Sequence, residues 1–96
     1  MKAIREDYLV EFKSIPDNYY DECNGNKPNT VRIIDWDDER FSLLNLMRNR
    51  NTYGFIKIRC TEDCQSQEVS FKRKITNVTI WNKQMIVSWS HKEANE

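Results

Sequence analysis

From Ile4 to Phe12 the chain reads IREDYLVEF, with Tyr8, Val10 and Phe12 alternating on one side and Leu9 on the other. That period of two predicts a strand over 4–12. The period then changes. SIPDNYYDECNG predicts a short helix with Ser14 as its cap, Pro16 in its first turn, and Tyr19, Tyr20 and Cys23 on one face. Gly25 is a natural stop, because glycine tolerates positive φ. TVRII, starting at Thr30, is β-branched and predicts a second strand. DWDDERFSLLNLMRNRN predicts a second helix: acids suit its N-terminus, and Arg48 and Arg50 suit its last turn. Trp36, Phe41, Leu43, Leu44 and Met47 supply its apolar positions at helical spacing.

From Tyr53 onward the pattern is β. YGFIKIRC alternates Phe55, Lys57 and Arg59 against Ile56, Ile58 and Cys60. TEDCQSQ is a polar connection. EVSFKRKITNVTIW alternates through Val69 and Phe71 and reaches Ile75 only after a change of phase across KRK, which predicts a bulge or bend. Asn82–Lys83 reads as a tight turn and QMIVSWS as the closing strand. Five strands and two short helices predict an α+β domain, built as a small β-barrel or a strongly curled sheet. Ile33, Phe55, Ile58, Phe71, Ile75, Val78, Ile86 and Trp89 are expected to share its core.

Length and charge narrow this picture. The 96 residues make one globular domain over 1–90 with a polar C-terminal tail over 91–96. No apolar run approaches the roughly 18 residues of a membrane span. Glu6 and Asp7 stand where a secretory signal needs apolar residues, so a cytoplasmic location is expected. The formal net charge is zero, which argues against bulk electrostatic capture of DNA. The charge is nonetheless divided. Residues 1–47 hold 10 Asp/Glu against 6 Lys/Arg, a net of −4, and residues 48–96 hold 5 against 9, a net of +4. A local basic face in the second half is compatible with that division.

Three cysteines are an odd count for a disulfide framework. Cys60 and Cys64 have three residues between them, and a zinc site would have to recruit Cys23 and His91 from distant positions. DWDDE suits helix capping as well as a cation. No metal and no cofactor are expected.

The candidate chemistry lies in GNKPNTVR. Thr30 and Arg32 are two apart and share a face of a strand, while Lys27 reaches over that face from the preceding turn. An ammonium, a hydroxyl and a planar guanidinium suit a phosphate or a base edge. The same residues also fit a plain turn and strand, with Arg32 covering apolar surface by its stem. Tyr20 and Trp81 are candidate stacking partners for a base. In FKRK, Arg73 and Lys74 are candidate contacts to a nucleic-acid backbone, or gatekeepers of an exposed edge.

SIPDNYYDECNGNKPNTVR resembles the opening of ASCH domains, in the PUA-like superfamily. That family has a strand, a short helix, a Gly-x-Lys turn and a strand with Thr-x-Arg or Glu-x-Arg. Gly25, Lys27, Thr30 and Arg32 fall at that spacing without a gap, and FKRKITNVTIW is similar to a later strand of the family. The resemblance implies a small PUA-like barrel with a ligand pocket at Lys27, Thr30 and Arg32. The chain departs from the family after the arginine strand, where DWDDERFSLLNLM replaces a Gly-Asp turn. Some members resemble nucleoside amidohydrolases that work with a Lys, a Thr and a downstream Glu. Lys27 and Thr30 match the first two, but Lys74 stands at the carboxylate's place. The leading expectation is therefore a non-catalytic module that binds RNA or a nucleotide-like ligand. The alternatives are a protein-interaction or inhibitor module of the kind mobile elements encode, whose acidic first half docks a basic protein partner, and a small nucleoside hydrolase.

Overall fold

A computed structural model describes residues 3–4, 8–61 and 70–93 of the chain, with side chains over 8–61 and 70–90. The elements run β1 (Ala3–Ile4), β2 (Leu9–Ser14), α1 (Pro16–Cys23), β3 (Asn29–Ile33), α2 (Glu39–Arg50), β4 (Phe55–Cys60), β5 (Ser70–Trp81) and β6 (Gln84–Glu93). All strands join one mixed sheet in the order β1-β2-β4-β5-β6-β3, curled into a half-barrel. β2 and β4 are parallel, and the other neighbours are antiparallel. This is a small α+β fold. Among the described residues no helix is long and apolar enough to cross a membrane.

Period-two alternation sets the inner face. Val10 and Phe12 of β2, Ile56 and Ile58 of β4, Phe71, Ile75 and Val78 of β5, and Met85, Val87 and Trp89 of β6 all point inward. Phe41, Leu43, Leu44 and Met47 of α2 join the same cluster, as does Tyr19 of α1. Asp38 caps α2 by accepting from the Arg40 N–H at 3.0 Å, and Asn51 ends it in the left-handed region at φ 52°. Asn82 and Lys83 both have positive φ, the geometry of a two-residue hairpin turn that follows strand twist. β5 does change phase, but after Ile75 rather than across KRK: Phe71, Arg73 and Ile75 all face inward, and the bulge follows, with Ile75 opposite Trp89 and Asn77 opposite Ser88, so two residues advance against one.

Several expectations are corrected. The strand expected over 4–12 is two strands: Tyr8 takes φ 49°, and β1 pairs back on Leu9 and Val10. Ser14 is the last residue of β2, and the residue before α1 is Ile15, which makes no side-chain cap. Tyr20 points outward, because the buried positions of α1 are Tyr19 and Glu22, three apart. Trp36 precedes α2 and is exposed. Three of the eight expected core residues leave the core by strand parity. Ile33 is 77 % exposed, and Phe55 and Ile86 are half-buried on the outer face. β6 does not close a barrel, since it lies between β5 and the edge strand β3. It also runs three residues past the tail boundary expected at 90, with Glu93 opposite Arg73. The polar connection after Thr61, Cys64 with it, and residues 94–96 lie outside the described residues.

Candidate functional site

The two edges of the half-barrel approach each other at β2 and β3. Among the described residues β1 pairs with Leu9 and Val10, and none is strand-paired with the outward edge of β2 from Glu11 onward. Arginines occupy that gap. Arg32 of β3 donates from Nη1 to the Lys13 carbonyl at 2.9 Å and from Nη2 to the Ser14 hydroxyl at 3.0 Å. Arg40 of α2 donates from Nη1 to the Glu11 carbonyl at 2.9 Å. Both guanidinium groups lie over the Phe12 ring, with centres 4.9 and 4.3 Å from the ring centroid.

The turn after α1 positions Lys27. Gly25 takes φ 89°, the Asn26 N–H bonds the Asn24 side chain at 3.0 Å, and the Lys27 N–H returns to the Asp21 carbonyl at 2.9 Å. Lys27 Nζ then stands 3.7 Å from a Glu22 oxygen. Glu22 is only 1 % exposed, and its other oxygen accepts from the Ser14 hydroxyl at 2.7 Å. Thr30, inward on β3, is buried, and its hydroxyl accepts from Arg32 Nε at 2.8 Å. The network therefore runs from Thr30 through Arg32, Ser14 and Glu22 to Lys27.

These residues line a hollow of about 250 Å³ with Lys13, Asn18 and Thr61. A second hollow of about 420 Å³ lies along the same seam, between Phe12, Lys13, Arg32, Asp35, Asp38 and Arg40. Arg32 and Lys13 line both. In the smaller one, three cations face one carboxylate, so its lining is net positive. Burial pushes the Arg32 pKa down from its ordinary value; Glu22 opposes this and Arg40 adds to it. Arg32 stays charged. Among the described residues neutral oxygens engage three of its five N–H donors, which leaves two for a ligand.

Lys27, Thr30 and Arg32 are thus brought together. Tyr20 and Trp81 are not. Tyr20 stands outward on α1, edge-on to Tyr19, and Trp81 is 70 % exposed at the tip of the β5–β6 hairpin. Arg73 is 4 % exposed and points inward, donating to the carbonyl of Cys23, the last residue of α1, at 3.0 Å. α1 has no basic residue in its own last turn. Arg73 supplies that charge from another element, so it serves the helix end rather than the surface. Lys74 is exposed, and its ammonium bonds the Tyr53 carbonyl. Sequence reasoning missed Ser14 and Glu22 as site residues. The signal available was a glutamate at the i+3 position from Tyr19, on the face of α1 that must be buried.

Among the described residues no group of three His, Cys, Asp or Glu gathers as a metal site. Comparison with known protein families, with curated proteins and with solved structures finds no match for this chain.

Proposed function

We propose that the protein is a small PUA/ASCH-like binding module whose seam pocket takes a nucleotide-like ligand, free or as part of an RNA. The observation that carries this reading is the convergence of Lys27, Thr30 and Arg32 on one polar hollow of about 250 Å³. That volume lies below the roughly 300–1,000 Å³ of pockets for drug-sized ligands and suits a single base or a phosphate. The net positive lining favours an acceptor-rich or anionic group. The two remaining N–H donors of Arg32 and the Lys27 ammonium supply charge-assisted hydrogen bonds to it.

The test is an NMR titration of wild type with nucleoside 5′-monophosphates, followed through backbone amides. Shifts confined to Ser14, Lys27, Thr30, Arg32 and Thr61 support the reading, with Arg32→Ala abolishing them and Lys27→Ala weakening them. A wild type unmoved by millimolar mononucleotide at low salt rules it out.

One observation favours a second reading, a hydrolase acting on a modified nucleoside. The carboxylate missing at Lys74 has a counterpart in Glu22, which enters the same hollow from α1 beside Lys27. Release of free acid from an N-acylated nucleoside by wild type, and its loss in Glu22→Gln, would establish this reading. Turnover unchanged by Glu22→Gln would reject it.

A further inference from the structure

The outer face of β2, β4 and β5 carries a charge pattern separate from the seam pocket. Strand register sets three rows across it. Leu9, Phe55 and Lys74 form the first, Glu11, Lys57 and Lys72 the second, and Lys13, Arg59 and Ser70 the third. The alternate residues Val10, Phe12, Ile56, Ile58 and Phe71 are in the core, so all three rows face outward. The face holds five cations, Lys13, Lys57, Arg59, Lys72 and Lys74, and one carboxylate, Glu11, a net of +4. The whole chain is formally neutral, so the rest of it carries −4.

Glu11 is shared between Lys57 at 3.6 Å and Arg59 at 3.2 Å. Among the described residues, Lys13, Lys72 and Lys74 have no carboxylate partner. The ammonium groups of Lys72 and Lys74 lie 4.7 and 5.0 Å from the centre of the Phe55 ring. An aromatic ring is therefore set among cations on an open sheet, which is the composition of a surface that tracks a phosphate backbone and stacks a base.

We infer that this face binds single-stranded nucleic acid, with Lys74, Lys72, Lys57 and Lys13 following one another along the phosphates and Phe55 beneath one base. Shape selects the single strand over the duplex. The outside of a curled sheet is convex, and a rigid duplex touches it over few phosphates, whereas a flexible strand follows the curve. Cations two residues apart on one strand are about 6.6–6.8 Å apart, and those on neighbouring strands about 4.8 Å apart, so the rows offer the backbone a continuous track. Lys13 stands where this track meets the rim of the seam pocket. The inference rests on the outer face, which shares only Lys13 with the pocket lining.

The experiment is fluorescence anisotropy of a labelled 15-nucleotide oligouridine at 50 and 200 mM salt. Four neutralised phosphates on a single strand give a log–log salt slope of about −2.8, so wild-type affinity falls about 50-fold across that range. Lys72→Glu with Lys74→Glu halves the slope and lowers affinity at least tenfold at 50 mM salt. Both residues are exposed, and an unchanged thermal melt confirms that the variant is folded. Lys83→Ala, at an exposed position in the β5–β6 turn away from both the face and the pocket, leaves oligouridine binding unchanged. Three results would each overturn the inference: no wild-type binding at 50 mM salt, a double variant that binds like wild type, or polyglutamate competing as well as the oligonucleotide. Binding of the 15-mer without any mononucleotide shift would retain this face and remove the pocket reading. A mononucleotide shift without 15-mer binding would do the opposite.

Discussion

The Arg32 side chain reaches from β3 to the Ser14 hydroxyl on β2 at 3.0 Å, although the two strands stand four places apart in the sheet. A closed barrel would join such edges by backbone hydrogen bonds. Here the guanidinium makes the join, bonding Ser14, the Lys13 carbonyl and Thr30. The residue that holds the seam together is thus also the one that presents donors to the pocket.

That dual role predicts a joint loss. Arg32→Ala should destabilise the protein by about 2–3 kcal/mol, the range for hydrogen bonds to a charged group. Arg32→Lys should restore little, because an ammonium cannot span three acceptors in a planar fork. Arg40 bonds the Glu11 carbonyl on the same edge and shares the Phe12 ring. The Arg32→Ala and Arg40→Ala effects should therefore be non-additive in urea denaturation. Strict additivity would mean that the two arginines do not act on one seam.

Gly54 tests a different point of the frame. A Cβ there would lie 2.0 Å from the Tyr8 carbonyl oxygen and 2.3 Å from the Tyr8 Cβ. Tyr8 cannot easily retreat. It holds φ 49°, and its carbonyl accepts from the Phe55 N–H at 2.7 Å. Gly54→Ala should destabilise by about 3 kcal/mol, the upper part of the overpacking range. A thermal melt within a degree or two of wild type would show that β2 and β4 can separate locally without loss.

How much of this was legible in the sequence follows from parity. YGFIKIRC displayed its own inner face, Ile56, Ile58 and Cys60, because a half-buried strand alternates. The same rule makes two expectations for β3 exclude each other. If Thr30 and Arg32 face the hollow, Ile33 faces out, and it does. Side-chain type suggested that Ile33 was core, but position on the strand decided otherwise. Glu22 was legible as a buried position, three residues from Tyr19 on one face of α1, but not as a pocket residue, because that role needs Ser14 and Lys27 from flanking segments to meet it at once. Arg73 was misread on charge alone. It stands two residues from Phe71 and two from Ile75, both buried, so unbroken alternation sets it on the inner face, opposite to its exposed neighbours Lys72 and Lys74.

The Glu22 network makes a graded prediction. Glu22→Ala removes a buried acceptor from Ser14 and the carboxylate beside Lys27. It should destabilise by about 2 kcal/mol, the scale for one charge-assisted hydrogen bond with partial exposure of its ionic partner. Glu22→Gln keeps an acceptor for Ser14 and should lose less. Lys27→Ala should change stability little, since the ammonium is partly solvated. A chemical-denaturation series in which Lys27→Ala is the most damaging of the three would reverse the assigned order.

Tyr19 carries the pH dependence. It is buried against Phe71, and burial is the main force pushing its phenol up to about 12, followed by Cys23, then Cys60, and a hydrogen bond with Cys23. The ordinary tyrosine value is about 10. A folded pKa above the unfolded one means that the native state keeps its proton longer, so unfolding is favoured as pH rises. The contribution is intact below about pH 10 and is lost as pH climbs towards about 12. The measurement must be a difference against a variant that lacks this one phenol. Urea midpoints taken at pH 9, 10.5 and 11.5 should fall more steeply for wild type than for Tyr19→Phe, which packs the same ring without an ionisable group. At pH 9, Tyr19→Phe should be no more stable than wild type, because it loses the Cys23 contact. By pH 11.5 the two should have drawn together or crossed. Parallel curves across the whole range would show that the phenol ionises as easily folded as unfolded, and that Tyr19 is not sealed against Cys23 and Cys60.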